Sequence, residues 1–215
     1  MPTPESRVAF VSGERLQGWV ERFAASHGTL VEEELDGGLQ LSAADGAVAL
    51  LQPPWPADGR PGRGGDGVER MASLAAQSRT LGLVLVRRGG YSVAVVRDGA
   101  ALASKTGTRH VQSRTAAGGG SQQRFARRRT NQADALVEAV AGHADRIFAE
   151  HRIEYLAPGG DRALAEQVLA EPVLKRYAAL SRLPLRDVPD PRASVVKQVA
   201  SAACSIRITV TDPPA

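Results

Sequence analysis

The sequence predicts an α/β protein in which a mixed sheet is flanked by helices, preceded by a small α+β unit. Three observations carry this expectation. Strand-like segments at 81–86, 91–96 and 100–104 follow one another through short glycine-containing turns. A long apolar stripe with a period near 3.6 residues then runs from Phe125 to Phe148. Helical and strand-like segments alternate from there to Thr211. A chain of 215 residues is long enough to bury a sizeable core without a staple.

Taken in order, Leu16, Trp19, Val20, Phe23 and Ala24 recur at helical spacing and predict a first helix that ends near His27 and Gly28. Short strands are expected at 30–35, 39–42 and 48–51, parted by Asp36-Gly37-Gly38 and Asp45-Gly46, where glycine supplies the positive φ of a tight turn. Glu32-Glu33-Glu34 reads as a charged strand edge, which discourages further sheet pairing. Residues 53–67 hold four prolines and five glycines, from Pro53-Pro54 to Gly67, so no helix or central strand is expected there, and Trp55 is expected to tack down one end.

A short helix at 68–78 precedes the three strands, which are most simply antiparallel because turns this short cannot join parallel neighbours. After the long helix come a strand at 153–156, helices at 162–169 and 173–180 separated at Pro172, a helix at 193–202 and a last strand at 205–211. The expected division is therefore a small α+β unit at 1–52, a linker at 53–67 and a larger α/β domain at 68–215.

Several function classes drop out. Cys204 is the one cysteine, so an internal disulfide and a multi-cysteine metal cage are excluded, and its expected place is buried in the last strand. No stretch has the run of ~20 apolar residues that a membrane span requires, and the first six residues lack the basic and apolar regions of a secretory signal. A cytoplasmic protein with no metal and no cofactor is the expectation. Gly89-Gly90 joins two strands, and the 53–67 segment has no lysine followed by a hydroxyl residue, so neither is a nucleotide-phosphate loop.

The charge pattern is more informative than the net charge of +4. No acidic residue occurs from Gly99 through Gln132, while Lys105, Arg109, Arg114, Arg124, Arg127, Arg128 and Arg129 supply positive charge, joined by His110. Residues 106–123 hold this field together with Gly118, Gly119, Gly120, Ser121, Gln122 and Gln123 at the entrance to the long helix. Glycines let a backbone approach a crowded RNA end, arginines bind phosphate, and a helix N-terminus adds partial positive charge. A loop this long in a compact domain is usually functional or disordered. His110 has no acidic neighbour and is read as a phosphate contact, while His143 and His151 form no metal-ligand pattern and are read as capping or surface residues.

Gly118-Gly119-Gly120-Ser121-Gln122-Gln123 followed by Arg124-Phe125-Ala126-Arg127-Arg128-Arg129 resembles the middle, catalytic domain of archaeal and eukaryotic class-one release factors. It looks more closely like their Vms-type relatives, here in a bacterial or actinobacterial form, which act in ribosome rescue and quality control. The resemblance runs from about Leu81 to Phe148, with an extension through the α/β core to Thr211. In release factors a Gly-Gly-Gln motif precedes the Arg-Phe-Ala-Arg run. Their spacing would place the glutamine at Gly120, whereas the amides here are Gln122 and Gln123. Gly120-Ser121-Gln122 resembles the Gly-Ser-Gln variant of the Vms-type group, so the catalytic role falls on Gln122, with Gln123 as the alternative.

The resemblance implies hydrolysis of the ester between nascent peptide and tRNA, with peptidyl-tRNA and the ribosome or its large subunit as partners. Gly119, Gly120, Ser121, Gln122 and Gln123 would form the catalytic tip, and Lys105, Arg109, His110, Arg114, Arg124, Arg127, Arg128 and Arg129 would hold the RNA. Two competing readings remain: an endonuclease that cuts near the tRNA acceptor end, and a non-catalytic ribosome- or RNA-binding adaptor. Sequence-dependent stop-codon recognition is not expected.

Overall fold

The computed structural model describes residues 6–108 and 121–213, and of 121–130 it describes the backbone. It is a mixed α/β protein with two five-stranded sheets flanked by helices. The described chain divides into two units, Met1–Ser78 with Ser201–Ala215, and Arg79–Ala200.

In the first unit, β1 (Ser6–Val11) leads into α1 (Gly13–His27), then β2 (Leu30–Leu35), β3 (Gly38–Ala43), β4 (Val48–Gln52) and α2 (Gly67–Ala75). β10 (Ile206–Thr211) joins this sheet in the order β1-β10-β4-β3-β2, antiparallel to both of its neighbours. The alternation of β3, β4 and β10 sends Leu39, Leu41, Ala49, Leu51, Ile206 and Ile208 to one face. There they meet Leu16 and Phe23 of α1 and Val68, Met71 and Ala75 of α2. β2 ends the sheet, as its glutamates foretell, but two of them are engaged: Glu32 accepts from the Gly67 amide at 3.0 Å, and Glu34 pairs with Arg70.

The proline- and glycine-rich segment is strapped along α2. Trp55, 3% exposed, donates its indole N–H to the Leu74 carbonyl at 3.1 Å, the Arg63 amide donates to Ser73 Oγ at 3.1 Å, and Gln77 donates to the Arg60 carbonyl at 2.8 Å. The lack of regular hydrogen bonding in 53–67 is met by these side-chain bonds, so the segment is built into the first unit.

In the second unit, β5 (Thr80–Arg87), β6 (Gly90–Arg97) and β7 (Ala100–Thr108) form the expected antiparallel meander. The 28-residue α3 (Ser121–Phe148) follows, then β8 (Tyr155–Gly160), α4 (Arg162–Ala170), a 3-10 helix (Pro172–Tyr177), the two-residue β9 (Ser181–Arg182) and α5 (Ala193–Ala203). β8 lies parallel to β5, completing a mixed sheet in the order β7-β6-β5-β8-β9. A parallel neighbour requires a crossover, and the stretch containing α3 supplies it. Val84, Val86, Tyr91, Val93 and Val95 present the sheet face that receives Leu136, Val137, Val140, Ala141, Ala144 and Phe148 of α3.

Four sequence expectations change. The last strand belongs to the first unit's sheet, inserted between β1 and β4, so 68–215 is not one compact body: α2 and β10 pack with the N-terminal segment and the unit boundary falls within α5. β1 was not anticipated. The helix expected at 173–180 is a 3-10 turn, because Pro172 opens it and a new strand begins by Ser181. Cys204 lies in the turn before β10 and is half-buried.

Candidate functional site

β7 reaches Thr108 and α3 begins at Ser121, so Arg109, His110, Arg114, Gly118, Gly119 and Gly120 lie outside the described residues. Ser121, Gln122 and Gln123 occupy the first turn of α3, where a surface loop was expected to continue, and Arg124, Arg127, Arg128 and Arg129 fall within its first nine residues. Ser, Gln and Arg carry neither the backbone penalty of glycine nor the clash of proline, so the helix can start directly after the glycine run. No acidic residue stands in that first turn, which leaves the positive end of the helix dipole uncompensated by side chains of the opposite charge.

A helix of 28 residues is about 42 Å long at 1.5 Å per residue. The described apolar packing of α3 runs from Ala133 to Phe148, so Ser121 lies about 18 Å along the axis from the first of these contacts. The anchoring end is dense. A Cβ at Gly82 of β5 would come within 2.8 Å of the Phe148 ring, so glycine is what lets the ring press on the sheet. Phe148 meets Tyr177 edge-on at 5.5 Å, Arg176 covers Tyr177 at 5.0 Å, and the Arg176 guanidinium donates to Asp145 at 2.5 Å.

At the base of the 109–120 segment, strand register brings Tyr91 opposite Gly107. The Tyr91 ring lies across Gly107, where a Cβ would approach it to 2.6 Å, and it stacks on His143 with centroids 5.5 Å apart and planes 17° from parallel. Ser92 and Thr106 share a hydroxyl hydrogen bond of 2.8 Å between the same two strands. Lys105 is exposed two residues before Gly107. Of the sequence-derived RNA-binding residues it is the one whose side chain is described, and the sheet carries it beside α3.

His143 was read from the sequence as a capping or surface residue, and Tyr91 and Arg146 were not singled out. The available signal was the i, i+3 spacing of His143 and Arg146 on one helix face. Arg146 Nη2 lies 2.5 Å from His143 Nδ1. Burial of the ring, followed by the positive charges of Arg146 and Lys105, holds the His143 pKa below the ordinary histidine value of 6.5. In a pH titration followed by imidazole NMR signals, His143 is expected to show a midpoint below 6.5. A folded-state pKa below the unfolded one means that the unfolded chain binds the proton more readily. The small stabilisation from neutral His143 is thus present above the unfolded pKa and lost as pH falls through the folded one. A midpoint at or above that of a denatured control would contradict this environment.

Among the described residues no cluster of His, Cys, Asp and Glu is arranged to hold a metal ion, and no helix is long and apolar enough to cross a membrane. Residues 79–209, more than half of the chain and all of the second unit's sheet, match the family model described as Actinobacteria/chloroflexi VLRF1 release factor. No curated protein matches the chain.

Proposed function

Because the chain belongs to the Actinobacteria/chloroflexi VLRF1 release factor family, and so has a ribosome-related function, we propose that it is a peptidyl-tRNA hydrolase of ribosome rescue. The observation that carries this reading is the continuity of Gly118-Gly119-Gly120-Ser121-Gln122 with the arginines at the start of α3, in a stretch free of acidic residues from Gly99 to Gln132. In this proposal the peptidyl-tRNA 3′ end meets that helix start within the ribosome or its large subunit, and the protein acts in the cytoplasm.

The chemistry asks for a positioned water and for relief of the charge that develops on the ester carbonyl. Water oxygen bonds to the carbonyl carbon, the bond to the ribose oxygen breaks, and the proton given up by water ends on that ribose oxygen. Glutamine is neutral and has no basic site suited to general-base work at physiological pH. Gln122 therefore orients the water or excludes competitors, and backbone N–H groups near it face the developing oxyanion. Glycines 118–120 allow close approach, while Arg109, Arg114, Arg124, Arg127, Arg128 and Arg129, with Lys105 and His110, bind phosphates without reading base sequence.

Purified protein added to stalled complexes carrying labelled peptidyl-tRNA is expected to release the peptide and leave full-length tRNA. A shortened tRNA 3′ end would instead identify an endonuclease, and binding without either product would identify an adaptor. Both outcomes reject the hydrolase reading.

A further inference from the structure

We propose that Lys105, His143 and Arg146, gathered beside the Tyr91 ring, form a seat for a backbone phosphate of RNA, separate from the helix start. The inference rests on the RNA-facing reading of the same unit and extends it to a second contact.

Strand register fixes the placement of Lys105. It pairs with Val93, whose side chain is in the core under α3, and directly paired residues share a face. Lys105 therefore rises on the α3 side of β7, the strand that ends the sheet. From α3, His143 and Arg146 reach the same place, with His143 oriented by its stack on Tyr91. Arginine keeps its proton, so the 2.5 Å contact has the guanidinium donating to Nδ1. That assigns the remaining imidazole proton to Nε2, an N–H donor on the far side of the ring. The ring then offers an Nε2–H, and the ammonium of Lys105 and the guanidinium of Arg146 are close enough to act on its charge.

Beside His143 and Arg146 the surface of α3 is open. A cleft of about 380 Å³ is lined by Ala135, Ala139 and Gly142 along with Glu138, His143 and Arg146, and a Cβ on Gly142 would meet nothing within 4 Å. Glu138 is the one acidic side chain among these lining residues. The positive charges of Lys105 and Arg146 disfavour a third on His143, and a phosphate would relieve that repulsion. His143 is about 32 Å along the helix from Gln122 at 1.5 Å per residue. One nucleotide cannot touch both, so the occupant is extended RNA, either the tRNA body or ribosomal RNA.

Two measurements test the seat without using ester cleavage. Deacylated tRNA is expected to raise the His143 titration midpoint, with the signal assigned through His143→Gln. The double variant Lys105→Gln/Arg146→Gln is expected to bind tRNA or purified large subunits about tenfold more weakly and to lower the slope of log affinity against log salt by about 1. Both substituted side chains are exposed, so an unchanged thermal transition serves as the folding control. Weakening with tRNA assigns the phosphate to tRNA, and weakening with large subunits alone assigns it to ribosomal RNA; either supports the seat. Wild-type affinity of the double variant for both, or the same midpoint rise with inorganic phosphate at equal phosphate concentration, overturns it. If wild-type protein cleaves no ester but the double variant loses RNA affinity, the hydrolase reading fails and the seat stands.

Discussion

Gln122→Ala is expected to slow peptidyl-ester hydrolysis by about 100-fold while changing ribosome or tRNA affinity by less than about threefold. Loss of one oriented polar interaction that acts in the transition state costs ~3 kcal/mol, which is on the order of 100-fold in rate. The cationic groups proposed to hold the RNA are untouched by the substitution, so binding and chemistry are expected to separate. Gln123→Ala provides the internal comparison. Both glutamines lie in the first turn of α3, and adjacent helical positions are about 100° apart around the axis, so one position cannot simply replace the other. Single-turnover cleavage and tRNA integrity, measured together for the two variants, give the answer. Loss in Gln123→Ala with wild-type rates in Gln122→Ala moves the assignment by one residue. Wild-type rates in both reject a glutamine-centred mechanism.

The largest expected stability effect is at the other end of the same helix. Phe148→Ala should destabilise the second unit by about 3–5 kcal/mol, the usual range for emptying a buried phenylalanine site. Phe148 is fully buried, lies edge-on to Tyr177 and presses on Gly82, so the vacated volume is bounded by a rigid strand backbone on one side. Glycine at position 82 has no side chain with which to fill the space. Urea unfolding followed by a probe in the second unit measures the loss, and Phe148→Leu should recover much of it by refilling the volume. A loss below about 1 kcal/mol for Phe148→Ala would show that this ring does not anchor α3. Because α3 carries Gln122 at its far end, a shortfall in hydrolysis by Phe148→Ala should follow the unfolded fraction rather than a change in chemistry.

Local pattern made many elements legible. The period of Leu16, Trp19 and Phe23 marked α1, the apolar runs around Leu83 and Val93 marked β5 and β6, and Leu136, Val140 and Phe148 marked the packed half of α3. Pairing was less legible where partners are remote in sequence. Ser6 pairs with Thr211 and Arg207 with Gln52, and no local period encodes such a choice. β1 escaped because it is a short edge strand whose Val8 and Phe10 remain roughly half exposed, so its pattern lacks a clear buried face. The glycine run before Ser121 concealed the start of α3 behind residues with poor helix propensity.

The candidate site divides in the same way. Charge sign and motif are written in consecutive residues, so the polarity of 99–132 and the Gly-Ser-Gln sequence could be read directly. The meeting of Tyr91, Gly107 and His143 depends on strand register and on where α3 crosses the sheet, and neither is local. Lys105 was recognised by charge alone, while its neighbour Arg146, over 40 positions later in the numbering, emerged only from the packing.

The placement of β10 between β1 and β4 has a consequence for the order in which the chain is made. Synthesis delivers β1 first and β10 last of the strands, with every residue of the second unit in between. The usual vectorial expectation is that the N-terminal body folds first. Here β1 must wait for a neighbour that emerges almost 200 residues later, whereas the second unit has all its strands and α3 by Arg182. The unit carrying α3 can thus close during synthesis while the N-terminal sheet still has a gap, and the last strand to emerge is the one that seals it.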